Sequence, residues 1–113
     1  MQFLALIYDT EGSNDVAMDV LYQQYGEFGE AAGQAGVIMG GNALEPVATA
    51  TTVTVRDGKT TITDGPFAET KEQLGGYYLL ECKDLDDALS WAAKIPTARY
   101  GRIEVRPIMV FDS

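Results

Sequence analysis

Two stretches of the chain read as β-strands that are apolar on both faces. Residues 2–8 carry an apolar or aromatic side chain at every position from Phe3 to Tyr8, and residues 76–82 are nearly as apolar. Successive side chains of a strand point to opposite faces of the sheet, so such strands need cover on both sides. This requirement restricts the fold more than any other feature of the sequence.

The rest of the chain supplies two helices and four more strands. Apolar residues at helical spacing predict helices over 15–35 and 85–95. Further strands are predicted over 37–41, 51–56, 59–63 and 102–111. Asp57-Gly58, between the third and fourth strands, is a strong signal for a hairpin turn.

Both helices carry residues that are typical of helix ends. Ser13 or Asn14 is a candidate N-cap of the first helix, and Gly36 suits the position after its last turn. Asp84 is a candidate N-cap of the second helix, and Pro96 ends it.

The element order predicts an α+β, ferredoxin-like (split βαβ) fold with an added β-hairpin, in a single domain over residues 1–113. Two helices cover only one face of its sheet, although the first and fifth strands make both faces apolar. A second copy, packed sheet against sheet by two-fold symmetry, is the simplest cover for the other face. We therefore expect a homodimer.

Charge and composition exclude several classes of function. The net charge of −9, from 17 acidic and 8 basic residues, disfavours direct binding to nucleic acid or to an anionic membrane. The apolar N-terminal run is too short to span a bilayer and lacks the basic start of a signal peptide, so a cytoplasmic protein is expected.

Histidine is absent and Cys82 is the one cysteine. No Ser-His-Asp or Cys-His arrangement and no intrachain disulfide is therefore possible. We expect no metal and no cofactor, although the carboxylates leave Mg²⁺ or Ca²⁺ open in principle. The apolar setting of Cys82 favours a buried, unreactive thiol over a reactive one.

Residues 63–77 form a loop without a plain structural period, opened by the turn signal Asp64-Gly65-Pro66. Lys71 can hold an anionic substrate, and Asp64 or Glu69 can move a proton. Equally, Asp64 can accept hydrogen bonds within its own turn and Lys71 can be a plain surface charge. The ligand-cleft candidates of this region are Asp64, Phe67, Glu69, Lys71, Tyr77 and Tyr78.

Charged and apolar side chains alternate along the last strand. Arg102, Glu104 and Arg106 share one face, opposite Ile103 and Val105. If the apolar pair meets the helices, the charged set faces the dimer side. It then lines a wet cleft that contacts a ligand, or forms an Arg-Glu-Arg ladder, or belongs to a solvated edge strand.

Several segments resemble the DGPF family within the YCII-related proteins. They are TDGPFAETKEQLGGYYLLE, DLDDALSWAAKIP and IEVRPI, together with MQFLALIY, GVIMGGNALEP and ATATTVTVRDGK. The resemblance spans nearly the whole chain and implies a dimeric α/β barrel. It also implies an accessory role with extracytoplasmic-function sigma factors, near which many members are encoded. A His-Asp pair proposed for related proteins cannot operate here, and Asp64 carries over only as the motif aspartate without a role.

Three functions are consistent with the sequence. The first is a dimeric small-molecule-binding or accessory protein. The second is a lyase- or isomerase-type enzyme that uses carboxylate, Lys or Tyr groups for acid-base chemistry. The third is a protein-interaction module whose acidic surface engages a basic partner such as a sigma-factor-related protein.

Overall fold

A computed structural model describes residues 1–11 and 17–111. In it the chain is a mixed α+β protein with two helices and antiparallel sheets. The strands are β1 (Gln2–Asp9), β2 (Ile38–Ala43), β3 (Thr51–Arg56), β4 (Lys59–Asp64), β5 (Gln73–Glu81) and β6 (Arg102–Pro107). The helices are α1 (Met18–Gln34) and α2 (Leu85–Ala92), with short 3-10 helices at Val47–Thr49 and Pro96–Arg99.

Four strands form the main sheet in the order β2-β5-β1-β6, and each neighbouring pair is antiparallel. The two strands that were expected to need cover on both faces, β1 and β5, are the central ones. Within the described residues the sheet stays open, with β2 and β6 at its edges, and does not close into a barrel.

The core lies between this sheet and the two helices. Phe3 and Leu80 lie opposite each other on β1 and β5 and are fully buried. The ring of Phe28, from α1, lies 5.3 Å from the ring of Tyr78 and 6.4 Å from that of Trp91 on α2. Each large apolar side chain buried in this way contributes about 1.5–3 kcal/mol, so the helices are held mainly by this layer.

Neither helix of the described chain packs against the second face of the main sheet. The name open face is used for this surface, which is formed by Leu4, Leu6 and Tyr8 of β1, Tyr77 and Leu79 of β5, and Arg102, Glu104 and Arg106 of β6. The β1 members are only partly buried, whereas Phe3, Ala5 and Ile7 on the helix side are buried. The apolar character of both faces is thus confirmed.

The helix ends partly match the predictions. The carboxylate of Asp84 accepts a hydrogen bond from the backbone N–H of Asp87 at 2.9 Å and caps α2 as expected. Gly36 follows α1 with a φ of +71°, which glycine adopts without strain. The predicted caps Ser13 and Asn14 lie outside the described residues, and Ala17 occupies the N-cap position without a side-chain bond.

Two predicted elements extend at least three residues past the ends of the observed ones. The second helix was expected to reach residue 95, but α2 ends at Ala92 and the chain tightens before the 3-10 turn at Pro96. The last strand was expected to reach residue 111, but β6 ends at Pro107, opposite Phe3. Its partner β1 begins at Gln2, so only one further hydrogen bond, from Ile108 N–H to the Gln2 carbonyl, can form.

Strands β3 and β4 form a separate two-stranded sheet rather than joining the main one. Asp57 and Gly58 both have positive φ, as the predicted Asp-Gly hairpin turn requires. The hairpin makes the molecule broad and flat, 47 × 45 × 18 Å. Its radius of gyration of 16.2 Å exceeds the value of about 13 Å expected for a compact domain of this length.

Candidate functional site

A cleft of about 540 Å³ lies between the first half of α1 and one end of the main sheet. Its walls come from α1, from β1, β2 and β5, and from the turn that precedes β6. Most of its lining is apolar or aromatic. Four tyrosines line it, namely Tyr22, Tyr25, Tyr77 and Tyr78. We call this space the tyrosine cleft.

Glycines in β2 and β5 form part of the cleft floor. Gly41 of β2 and Gly75 and Gly76 of β5 line the cleft. A Cβ atom on Gly41 would lie 2.6 Å from the Tyr77 carbonyl oxygen and 2.7 Å from the Tyr78 ring. Side chains are therefore excluded at Gly41, and the space above the floor stays open.

A hydrogen bond closes one wall of the cleft. The hydroxyl groups of Tyr25, on α1, and Thr97, on the 3-10 turn, are 2.5 Å apart, and either can donate. Burial raises the pKa of Tyr25, although the bond to Thr97 opposes this effect. Burial also raises the pKa of Tyr78. Both hydroxyls therefore keep their protons at neutral pH and are hydrogen-bonding groups rather than phenolate bases.

Among the described residues, Asp9 is the one charged member of the cleft lining, and no Lys or Arg contributes to it. Its carboxylate accepts a hydrogen bond from the backbone N–H of Thr10 at 2.8 Å. Asn42 also lines the cleft, but its side chain shares the face of its partner Tyr77 and donates to the Tyr77 hydroxyl at 2.9 Å. With this negative charge and no cation, the cleft disfavours anionic ligands.

Of the predicted site residues, Tyr77 and Tyr78 line the tyrosine cleft. They occupy opposite faces of β5, as the sequence predicted. Tyr78 lies on the helix side, opposite Ala5, and packs on Phe28, whereas Tyr77 lies opposite Leu6 of the open face.

The structure does not bring the loop candidates into this cleft. Asp64 ends β4, opposite Thr51, and is exposed. Phe67 is 91% exposed. Glu69 and Lys71 are exposed too, and it is the backbone carbonyl of Lys71 that accepts a hydrogen bond, from the Thr10 hydroxyl at 3.0 Å.

The charged residues of β6 lie on the open face, while Ile103 and Val105 pack against the core. Arg102 pairs with Glu72 of the central loop at 2.8 Å and is 81% exposed. In the described part of the chain no ion pair joins Arg102 or Arg106 to Glu104, so the Arg-Glu-Arg ladder does not form here. An exposed pair of this kind contributes at most about 1 kcal/mol.

Sequence reasoning missed Tyr25 and Thr97 as cleft residues. Tyr25 falls in the apolar stripe of the first helix, and the stripe itself indicates only that the residue packs inwards. Its hydrogen-bond partner is 72 positions away. The only local signal was a second tyrosine, Tyr22, one helical turn before it.

Residues 1–11 and 17–111 contain no candidate membrane-spanning helix and no candidate metal site. Neither described helix has the length and apolar character needed to cross a membrane. Across the same residues, no three His, Cys, Asp or Glu side chains come together as a potential metal site.

Comparison with known proteins gives a family match over almost the full chain. A family model described as YCII-related domain matches residues 1–112. A protein of Rhizobium meliloti (strain 1021), named as uncharacterized, is 46% identical over 70 residues. These residues are 60% of this chain and 56% of that protein, so the match spans little more than half of the relative.

Proposed function

We propose that this protein, which belongs to the family of YCII-related domain proteins, binds a small molecule in the tyrosine cleft. The observation that carries this proposal is the cleft itself: it is mainly apolar and aromatic, with a few polar groups at defined positions. Its volume of about 540 Å³ is within the usual range for small-molecule sites.

The lining defines the class of ligand. The tyrosine rings favour a flat apolar body, and the hydroxyls of Tyr25 and Thr97 offer hydrogen bonds to one or two polar groups. Asp9 and the net charge of −9 disfavour an anion. The ligand is therefore an uncharged or cationic aromatic or aliphatic molecule, not the anionic substrate that Lys71 had indicated.

The same geometry supports binding over catalysis. Tyr25 and Tyr78 keep their protons, and Asp64, Glu69 and Lys71 lie outside the cleft. A lyase or isomerase needs a base within hydrogen-bond reach of its substrate, and among the described residues that line the cleft only Asp9 offers a carboxylate. The accessory role with a sigma factor and the cytoplasmic location stay predictions from the sequence.

The proposal includes the ferredoxin-like fold, one domain over residues 1–113, and a homodimer. The order β2-β5-β1-β6, with both helices on one side, supports a split βαβ unit with an inserted hairpin. The partly buried Leu4, Leu6 and Leu79 of the open face support a second copy packed sheet against sheet, as in a dimeric α/β barrel.

A ligand screen with a cleft-filling variant tests the site. Thermal-shift screening of uncharged, cationic and anionic aromatic compounds, followed by calorimetry, should give binders from the first two classes. Ala43→Trp fills the cleft and should weaken their binding at least tenfold, whereas Ala68→Trp, on the exposed central loop, should not. Binders that are all anionic, or that Ala43→Trp leaves unaffected, would refute the proposal.

A further inference from the structure

The hairpin formed by β3 and β4 carries an uncovered apolar face. Val53 lies opposite Ile62, and Val55 is on the same face of the hairpin. These three side chains are 62%, 69% and 57% exposed in that order. A two-stranded hairpin is marginally stable in water unless a third strand or a packed face supports it. In the described chain neither hairpin edge pairs with another strand, so the support has to come from outside it.

A second uncovered apolar segment follows β6. After Ile108, residues Met109, Val110 and Phe111 are 72%, 86% and 81% exposed. Four consecutive large apolar residues in an exposed extended segment are unusual for a monomeric surface. We call residues 108–111 the tail.

The hairpin and the tail lie at opposite ends of the main sheet. The tail is beside the start of β1, where the Ile108 N–H binds the Gln2 carbonyl. The chain leaves for the hairpin at the other end, where β5 begins opposite Asp9. The eight residues of β1 separate the two ends by about 25 Å. A two-fold axis that lies between the two open faces and runs perpendicular to the strands places the hairpin end of one copy beside the tail end of the other.

We infer that the hairpin is an arm that packs its Val53, Val55 and Ile62 face against the tail of a second copy. The inference rests on the proposed dimer and adds a defined contact to it. Each copy then contributes one arm and one tail. The two-fold axis therefore creates two equivalent arm–tail contacts, which cover the apolar residues of both arms and both tails.

Area and charge favour a second copy over another partner. A stable interface takes about 800 Å² from each partner, and Phe111 of the tail alone supplies roughly 150–250 Å² when fully covered. The hairpin tip carries Arg56 and Lys59 beside Asp57, and neither cation has an ion pair in the described residues. A second copy, with net charge −9, offers this cationic tip an acidic surface.

Sedimentation equilibrium of matched hairpin variants tests the arm. Val53→Asp/Ile62→Asp charges the apolar face, and Thr54→Asp/Thr61→Asp charges the cross-strand pair on the other face of the same hairpin. The first should raise the dimer dissociation constant at least 100-fold, and the second less than fivefold. Val110→Asp, at an exposed tail position outside the core, should weaken the dimer as the first variant does.

A mixed-disulfide experiment identifies the contact. In a Cys82→Ala background, a Val55→Cys chain and a longer, tagged Val110→Cys chain are mixed and oxidised. The mixed disulfide should form at least five times faster than with Thr54→Cys in place of Val55→Cys.

The outcomes separate the inference from the proposals on which it rests. A wild-type chain that sediments as a monomer at micromolar concentration overturns both the arm and the dimer. A dimer that Val53→Asp/Ile62→Asp leaves intact overturns the arm alone. If Val53→Asp/Ile62→Asp weakens the dimer, Val110→Asp does not, and the mixed disulfide fails to form, then the tail is not the partner of the arm. Ligand binding at the tyrosine cleft is measured separately and decides the proposed function.

Discussion

The hydrogen bond between Tyr25 and Thr97 connects α1 to the turn before β6 and holds one wall of the tyrosine cleft. Tyr25→Phe keeps the ring and removes only the hydroxyl. The Thr97 hydroxyl, on a residue that is 6% exposed, then loses this partner in a place that water hardly reaches. Thr97→Val removes the side-chain partner of the Tyr25 hydroxyl and keeps the Thr97 backbone.

The expected cost follows from this asymmetry. A buried group left without its partner costs about 1–3 kcal/mol, whereas removing both partners together is far less costly. Each single variant should therefore lose about 1.5 kcal/mol of unfolding free energy. The double variant Tyr25→Phe/Thr97→Val should lose about 1.5–2 kcal/mol rather than the sum of about 3, which is a coupling of at least about 1 kcal/mol.

Urea unfolding followed by far-UV circular dichroism measures these values. All variants are compared at one protein concentration, because assembly makes apparent stability depend on it. Tyr22→Phe, at a residue that is 67% exposed, is the control and should change the free energy by less than about 0.5 kcal/mol. Costs of Tyr25→Phe and Thr97→Val that simply add would show that the two hydroxyls do not interact, and the account of the cleft wall would be wrong.

Three further predictions concern pH, a helix cap and the cleft floor. Because burial raises the pKa of Tyr25 above its ordinary 10.0, the unfolded chain releases this proton at lower pH than the folded chain, and stability should fall as pH rises past about 10. In denaturant titrations over this pH range, the stability of Tyr25→Phe should fall less steeply. An unchanged slope would show that Tyr25 is not the source of the pH dependence. Asp84→Ala should cost about 1 kcal/mol in urea unfolding through loss of the α2 cap, with Asp86→Ala in the same helix turn costing less than half as much, and equal costs would count against the cap. Gly41→Ala should lower the free energy of unfolding by about 1–3 kcal/mol in thermal or urea unfolding, because its Cβ meets backbone and ring atoms of β5. A Cβ on Gly40 meets nothing within 4 Å, so Gly40→Ala should lower it much less. Equal losses for the two variants would refute the steric explanation.

The sequence predicted the main sheet because its signals are local. The apolar run from Phe3 to Tyr8 marks a central strand, and Asp57-Gly58 marks a hairpin through the positive φ that the turn needs. It could not predict which sheet the hairpin joins, because the β-branched residues of β3 and β4 favour a strand in any sheet. The end of β6 at Pro107 likewise depends on where β1 begins, which the last strand does not encode.

The candidate site was predictable only in part, for a similar reason. The placement of Tyr77 and Tyr78 on opposite faces of β5 was predictable because adjacent residues of one strand alternate in direction, which is a local rule. The cleft depends on contacts over long sequence distances, between Tyr25 and Thr97 and between Gly41 and β5. Turn signals around Asp64 indicated a shaped loop but carried no information about whether its charges point to a shared space.

The thiol of Cys82 can report local opening of the fold. The residue is 3% exposed at the junction of β5 and α2, and burial raises the pKa of its thiol. A thiol reagent therefore reacts only during the moments when this junction opens, and the labelling rate counts those openings. Because the sequence contains no other cysteine, the labelling rate of the unmodified chain measures how often the structure opens next to α2, with and without a candidate ligand.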